Sequence, residues 1–257
     1  MTSEKMWIAY MTVMRKELVR IFRIWAQTIL PPVVTTSLYF IVFGTFIGSQ
    51  LAPIQGLSYI QFIVPGLIMM SIITSSYMNT VSNFYFAKFM RNIDEMLVSP
   101  MPDWLVIAGF ISGGVMRGLI VGFFVLLVSL LFSHLAIYNF AVLIAAVVMT
   151  SVLFSLAGLI NGIFAKGFDG ISIVPTFVLT PLTYLGGIFY SITQFPPFWQ
   201  NVSLFNPILY MVNAFRYGFF GVSDVPVWIC FSVLITFTLL FTAIVILLFR
   251  RGMGVKN

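Results

Sequence analysis

Long apolar runs separated by short polar breaks dominate the chain from residue 27 onward. They fall at about 27–48, 59–83, 104–132, 138–164, 171–190 and 227–249. A helix rising 1.5 Å per residue needs about 20 apolar residues to cross about 30 Å of hydrocarbon. The pattern therefore predicts six membrane-spanning helices. Pro31 and Pro32 fall in the first turn or two of the first span, where a missing N–H has no helical partner to lose. Residues 5–25 follow a different rule. Trp7, Met11, Met14, Leu18, Ile21, Phe22 and Trp25 recur at spacings of three and four, with Lys16, Arg20 and Arg23 on the opposite side. An apolar stripe opposite a basic one, with tryptophan at its ends, predicts a helix lying in the membrane interface. The alternative is the basic flank of the first span.

Residues 191–226, SITQFPPFWQNVSLFNPILYMVNAFRYGFFGVSDVP, fit neither pattern. The stretch is too apolar for a free loop in water and too broken by proline for one clean span. Phe195, Phe198, Trp199, Phe205, Tyr210, Phe215 and Tyr217 fill it, a density suited to headgroup level. Two short helices joined near Asn206-Pro207 are predicted, because helices satisfy their own backbone groups at that depth. No internal repeat or low-complexity linker divides the chain, which reads as one domain over 1–257.

Composition turns this pattern into a statement about solvent. Hydrophobic residues make up 60% of the chain and charged residues 8%, against roughly 25% charged in soluble domains. No charge lies between Arg23 and Lys88, Arg117 and Lys166, Asp169 and Arg216, or Asp224 and Arg250. Lysine and arginine then orient the spans. With the N-terminus inside, the inner pieces 1–26, 84–103, 165–170 and 250–257 carry Lys5, Arg15, Lys16, Arg20, Arg23, Lys88, Arg91, Lys166, Arg250, Arg251 and Lys256. The outer pieces 49–58, 133–137 and 191–226 carry Arg216, and Arg117 lies within the third span. This bias predicts that both termini are cytoplasmic. It also explains the net charge of +6 without nucleic acid. The fold class is thus an all-α membrane protein with six transmembrane helices, an interfacial N-terminal helix and short re-entrant helices before the last span.

Little here can do chemistry. No GxxxxGK[ST] is present to cradle nucleotide phosphates, and no HExxH to hold zinc. The one histidine, His134, falls at an outer turn, and the one cysteine, Cys230, sits in an apolar run where it packs and pairs with nothing in the chain. Arg117 is the one ionisable group expected within a span. It either snorkels to the cytoplasmic headgroups, joins an ion pair or touches substrate. No carboxylate accompanies it in the membrane, so proton-coupled transport has no support. Gly109, Gly113, Gly118 and Gly122, with Gly114 alongside, predict close helix packing on the third span. Pro175 and Pro181, followed by Gly186-Gly187, predict a bend or a flexible, cavity-lining stretch in the fifth.

The stretch RNIDEMLVSPMP, residues 91–102, concentrates charge on the cytoplasmic side between spans two and three. Asn92 to Val98 is long enough for two helical turns, which Pro100 and Pro102 stop. Asp94 and Glu95 lie in its first half, where acids suit the positive helix end. Met96, Leu97 and Val98 then offer apolar side chains to the cytoplasm. The stretch reads either as a plug for a groove on a soluble partner or as a solvated loop.

Six blocks in order carry a resemblance over essentially the whole length: RIWAQTILPPVVTTSLYFIVFG (23–44), QFIVPGLIMMS (61–71), RNIDEMLVSPMP (91–102), LFSLAGLINGIFAK (153–166), PTFVLTPLTYLGGIFYSI (175–192) and FNPILYMVNAFRYG (205–218). The chain resembles the ABC-2 family of permeases, the membrane subunits of ATP-driven exporters. Within it the chain is most similar to the YadH-like permeases of the bacterial inner membrane. The resemblance implies that residues 91–102, with Arg91, Asp94, Glu95, Met96 and Leu97, form a coupling helix docking on an ABC ATPase. It implies that the segment around Asn206, Pro207, Tyr210 and Arg216 is the outer re-entrant segment. It also implies a homodimer with two ATPase chains, which carry the ATP and magnesium while this chain has no cofactor and is not an enzyme. The expected cargo is an amphiphile, lipid or drug leaving the cytoplasm or inner leaflet. Polysaccharide or glycolipid export by the same type of complex, an ATP-independent carrier and a membrane scaffold are the alternatives.

Overall fold

A computed structural model describes residues 2–98 and 101–252, apart from the side chains of Thr45, Ser49, Asp94 and Leu97. The chain opens with α1 (Ser3–Arg23), which has Glu4 in its first turn and Arg20 and Arg23 in its last, matching the helix dipole at both ends. After a break at Ile24 come α2 (Trp25–Thr28) and α3 (Leu30–Tyr39), the latter with proline in its first turn. A π-helical stretch, Phe40–Ile47, continues α3. The next helix, α4 (Tyr59–Phe89), starts from a capping box. The Gln61 N–H donates to Ser58 Oγ at 3.4 Å, and the Ser58 N–H donates to Gln61 Oε1 at 3.0 Å. Its 31 residues extend about 46 Å at 1.5 Å per residue, more than the apolar slab requires. A short α5 (Asn92–Val98) follows, then α6 (Asp103–Ser129) and α7 (Phe140–Phe164). Asn139 caps α7, its Oδ1 accepting from the Val142 N–H at 3.2 Å.

Five helical stretches among the described residues are long and apolar enough to cross a membrane: Trp25–Gly44, Tyr59–Phe89, Asp103–Ser129, Phe140–Phe164 and Val227–Arg250, the last being α12 once the intervening helices are numbered. The fifth expected span, 171–190, takes another form. It is a composite of α8 (Phe168–Val174), a π turn (Pro175–Leu179) and α9 (Thr180–Tyr184). Pro175 and Pro181 each lack an N–H for the ladder, and Gly187 then turns the chain with φ +69, open to glycine at no steric cost. The helical part therefore ends six residues before 190. Beyond it lie α10 (Pro197–Leu204), α11 (Pro207–Phe220) and α12 (Val227–Arg250).

α4 is the axis of the molecule, packed most extensively against α7 and α6. α11 and α12 pack against α7, α11 reaching α4 as well, and α1 lies against α6. The expected glycine surface of α6 turns out to serve two partners. A Cβ on Gly109 or Gly113 would meet Val13 or Glu17 of α1, both at 2.7 Å. One on Gly114 or Gly118 would collide with Thr80 and Ser155 or with Ser76, and one on Gly122 would stand 2.6 Å from Ile72. The small faces thus let α1 approach from one side and α4 with α7 from the other. The apolar core splits in two. The larger cluster fills the middle and one end, and a second gathers Phe84, Ile93, Val106, Phe110, Leu159, Ile163, Val245 and Phe249 where α5 joins. Large apolar side chains such as Phe46, Phe123, Leu131, Trp228 and Leu239 are exposed on the outside of the bundle, a surface suited to lipid and not to water.

Candidate functional site

α5 hangs from the long helix α4 by a sharp turn. Arg91 holds φ 58, the left-handed region uncommon for a residue with a side chain. The turn lets the chain double back so that Ile93, 1% exposed, anchors α5 in the second apolar cluster. Arg91, Asn92, Glu95 and Val98 face outward. Of the three apolar residues expected to point away, Val98 does, at 87% exposed. Met96 instead turns back against the second cluster, because a two-turn helix lying on a surface must seat one side. The side chains of Asp94 and Leu97 lie outside the described residues, as does Pro100.

A polar knot sits where α1, α4 and α6 meet. Glu17 is buried on the inner face of α1. Arg20 Nη2 donates to Glu17 Oε2 and to Asn79 Oδ1, both at 2.8 Å, and Asn83 Nδ2 donates to the same Glu17 oxygen at 2.6 Å. Arg117, half-buried, comes in from α6. Among the described residues no carboxylate lies within ion-pair distance of it. Arg20, Asn79, Asn83 and Arg117, with Ile24, Thr28 and Phe86 among others, line a cavity of about 230 Å³. Burial holds the Arg20 guanidinium below the usual arginine range, against the upward pull of Glu17. Desolvation outweighs its one ion pair.

At the opposite end, Arg216 of α11 is fully buried. Its Nη2 donates to the Gly187 carbonyl at 2.7 Å and its Nε to the Phe62 carbonyl at 3.3 Å, with the guanidinium carbon 3.7 Å from the centre of the Phe62 ring. The Asp224 carboxylate stands 4.0 Å away, both side chains being closed to solvent. Asp224 in turn accepts from Gln55 Nε2 at 2.6 Å and from Ser191 Oγ. Asn213 Oδ1 accepts from the Asp224 N–H at 2.8 Å and from Ser223 Oγ at 3.2 Å. Asn206 caps α11 through the Ile208 N–H at 3.0 Å and donates to the Leu182 carbonyl at 2.6 Å, so α9 is tied to the break before Pro207. Tyr210 donates to the Leu204 carbonyl at 2.7 Å. A cleft of about 240 Å³ opens between α3 and α4, lined by Pro31, Pro32, Thr35, Tyr39, Leu67 and Ser71 among others. Tyr39, which lines it, and Phe43 pack in tilted contact with Phe189, their ring centres 5.9 and 5.1 Å away.

A family model described as ABC-2 type transporter matches residues 8–220. The chain belongs to the ABC-2 type transporter family. Among relatives of this ABC-2 chain, the inner membrane transport permease YadH of Escherichia coli (strain K12) is 54% identical over 251 residues, covering 98% of each protein. Nodulation protein J of Rhizobium leguminosarum bv. viciae is 20% identical over 180 residues, 70% of each. Nodulation protein J of Rhizobium meliloti (strain 1021) is 20% identical over 211 residues, 82% of this chain and 79% of that one.

Within the ABC-2 fold, the residues singled out in sequence do not form one site. Arg91, Glu95 and Met96 lie at one end, and Gly186, Gly187, Asn206, Tyr210 and Arg216 at the other. Pro175 and Pro181 mark the π turn and the helix after it. Pattern reading missed Glu17, Asn79 and Asn83, and missed Asp224 as the partner of Arg216. A signal for Glu17 was present. It is the one acid at 5–25, and the stripe Met14, Leu18 and Ile21 flanks it at helical spacing.

Proposed function

We propose that this chain is the permease subunit of an ABC exporter in the bacterial inner membrane. Two copies cross the bilayer six times each, with both ends of the chain in the cytoplasm and 168–184 as the fifth crossing. Two separate ATPase chains bind ATP and magnesium and drive them. The cargo is an amphiphile, a lipid or a drug taken from the cytoplasm or the inner leaflet. The observation that carries the reading is α5. A seven-residue helix turns off the end of the central helix through Arg91, with Ile93 sunk in the core and Glu95 and Val98 exposed. A push on its outer face passes through Ile93 to α4 and α6, and from α4 to most of the bundle. That is the geometry a separate motor needs. The name of the inner membrane transport permease YadH supports the compartment, and the apolar cleft between α3 and α4 supports an oily cargo.

The test is capture of the ATPase. Full-length protein purified from its native host carries an ABC ATPase with it, and Arg91→Glu or Leu97→Asp reduces recovery of the complex at least tenfold. Membrane insertion is unchanged in both. Normal complex with both variants removes α5 from docking. Transport by purified protein without any ATPase removes the exporter reading itself.

A further inference from the structure

The knot between α1, α4 and α6 is left over by the coupling reading, and its hydrogen bonding does not close. Arg20 Nε, Arg117 Nε, Asn79 Nδ2 and Asn83 Oδ1 are buried without a partner. Asn79 and Asn83 are 1% and 6% exposed. Buried polar groups are nearly always satisfied, so four open ones around one cavity ask for a missing ligand. Three of the four are donors. The charge points the same way: Arg20 and Arg117 outnumber Glu17, and Glu17 is already held by Arg20 and Asn83. Water would answer the donors but leave the excess positive charge in place.

The rim says what the ligand is attached to. Ile24 and Phe86 stand exposed at the cavity mouth, 38% and 44%, and Trp25 beside them is 55% exposed. An anion with an apolar tail seats its charge inside and its tail along that rim. A phosphate diester carries one negative charge and several acceptor oxygens, which guanidinium forks match well.

We propose that Arg20, Arg117 and Asn79 form a binding site for the phosphate group of an anionic amphiphile in the inner leaflet. The inference rests on the proposed function only for the side of the membrane on which α1 lies, and it needs no ATPase. Failure of ATPase capture and failure of phosphate binding are therefore separate results.

The experiment uses delipidated full-length chain in neutral detergent, with lipid binding read by native mass spectrometry and thermal unfolding. Phosphatidylglycerol binds and raises the unfolding temperature, while diacylglycerol with the same acyl chains does not. Arg117→Gln weakens phosphatidylglycerol about tenfold, the size of one lost charge-assisted contact. Arg15→Gln, an exposed arginine of the same helix α1, leaves it within twofold. Ser82→Glu, which sets a carboxylate in the cavity wall while sparing both arginines, abolishes binding and keeps the test alive should Arg117→Gln not fold. Inorganic phosphate competes at millimolar concentration. If it binds through Arg117 while phosphatidylglycerol does not, the phosphate site stands and its source is a soluble anion. Equal binding of phosphatidylglycerol and diacylglycerol overturns the proposal. So does equal loss in Arg15→Gln and Arg117→Gln, which is diffuse surface attraction.

Discussion

Arg216 is the largest fully buried side chain among the described residues, and it carries a charge. Burying a guanidinium is costly unless its donors and charge are met. Here two carbonyls and an aromatic face meet part of the task, while Nη1 makes no hydrogen bond and has the Asp224 carboxylate 4.0 Å away as its counter-charge. The carbonyls belong to different elements, Phe62 in α4 and Gly187 in the turn after α9, so Arg216 staples both to α11. Removing the carboxylate leaves the cation uncompensated. Asp224→Ala should therefore destabilise the protein by about 3 kcal/mol or more, read as a lower unfolding temperature in detergent. Arg216→Met with Asp224→Leu should lose less than the sum of the single changes. Additive losses would mean that the two side chains do not act as a pair. Sequence alone put Arg216 in the outer segment among aromatics at headgroup level. Phe198 and Phe205 do stay exposed, at 68% and 88%, but Phe215 is buried. The difference is the element: Phe198 lies on α10 and Phe205 just after it, whereas α11, which carries Phe215 and Arg216, is packed among α7, α12 and α4 and buried on nearly every side.

At the scale of elements, small residues set how closely the helices approach. A Cβ on Gly158 of α7 would lie 2.5 Å from the Tyr77 carbonyl oxygen of α4, and backbone cannot swing aside as a side chain does. Gly158→Ala should thus separate the two most extensively packed helices and cost about 1–3 kcal/mol, as overpacking does. Gly167→Ala, where a Cβ meets nothing within 4 Å, should leave the unfolding temperature unchanged. Equal effects at the two positions would refute the packing account. The long helices were legible because each is an apolar run bounded by caps or breakers: Ser58 with Gln61, Asn139, and Pro226 before α12. The fifth was less legible. Apolar composition continues through Gly186-Gly187 to residue 190, whereas the helix stops once backbone torsion and the Arg216 contact make the turn the better state. The spacing of Gly109, Gly113, Gly118 and Gly122 foretold close packing but not its partners, since GxxxG reads alike against any helix.

For the molecule as a whole, the proposed six-crossing arrangement makes a sidedness prediction. With the buried Cys230 replaced by serine, Glu95→Cys should react with an impermeant maleimide only after the cells are opened. Asn201→Cys, exposed on α10, should react in intact cells. The reverse pattern would put α5 beyond the reach of any cytoplasmic ATPase. The sequence by itself determined the solvent, the helical class, the approximate places of the five long apolar helices and the stretches in which charge collects. Each of these follows from transfer free energy summed along a local window. Only the tertiary structure decided which charges meet. Glu17 and Asn83 are 66 positions apart, and Phe62 and Arg216 are 154. Hydropathy assigns each helix a depth without fixing its rotation about its own axis. Rotation is set by side-chain packing across helices, and it is rotation that brings Arg20, Asn79 and Arg117 around one cavity.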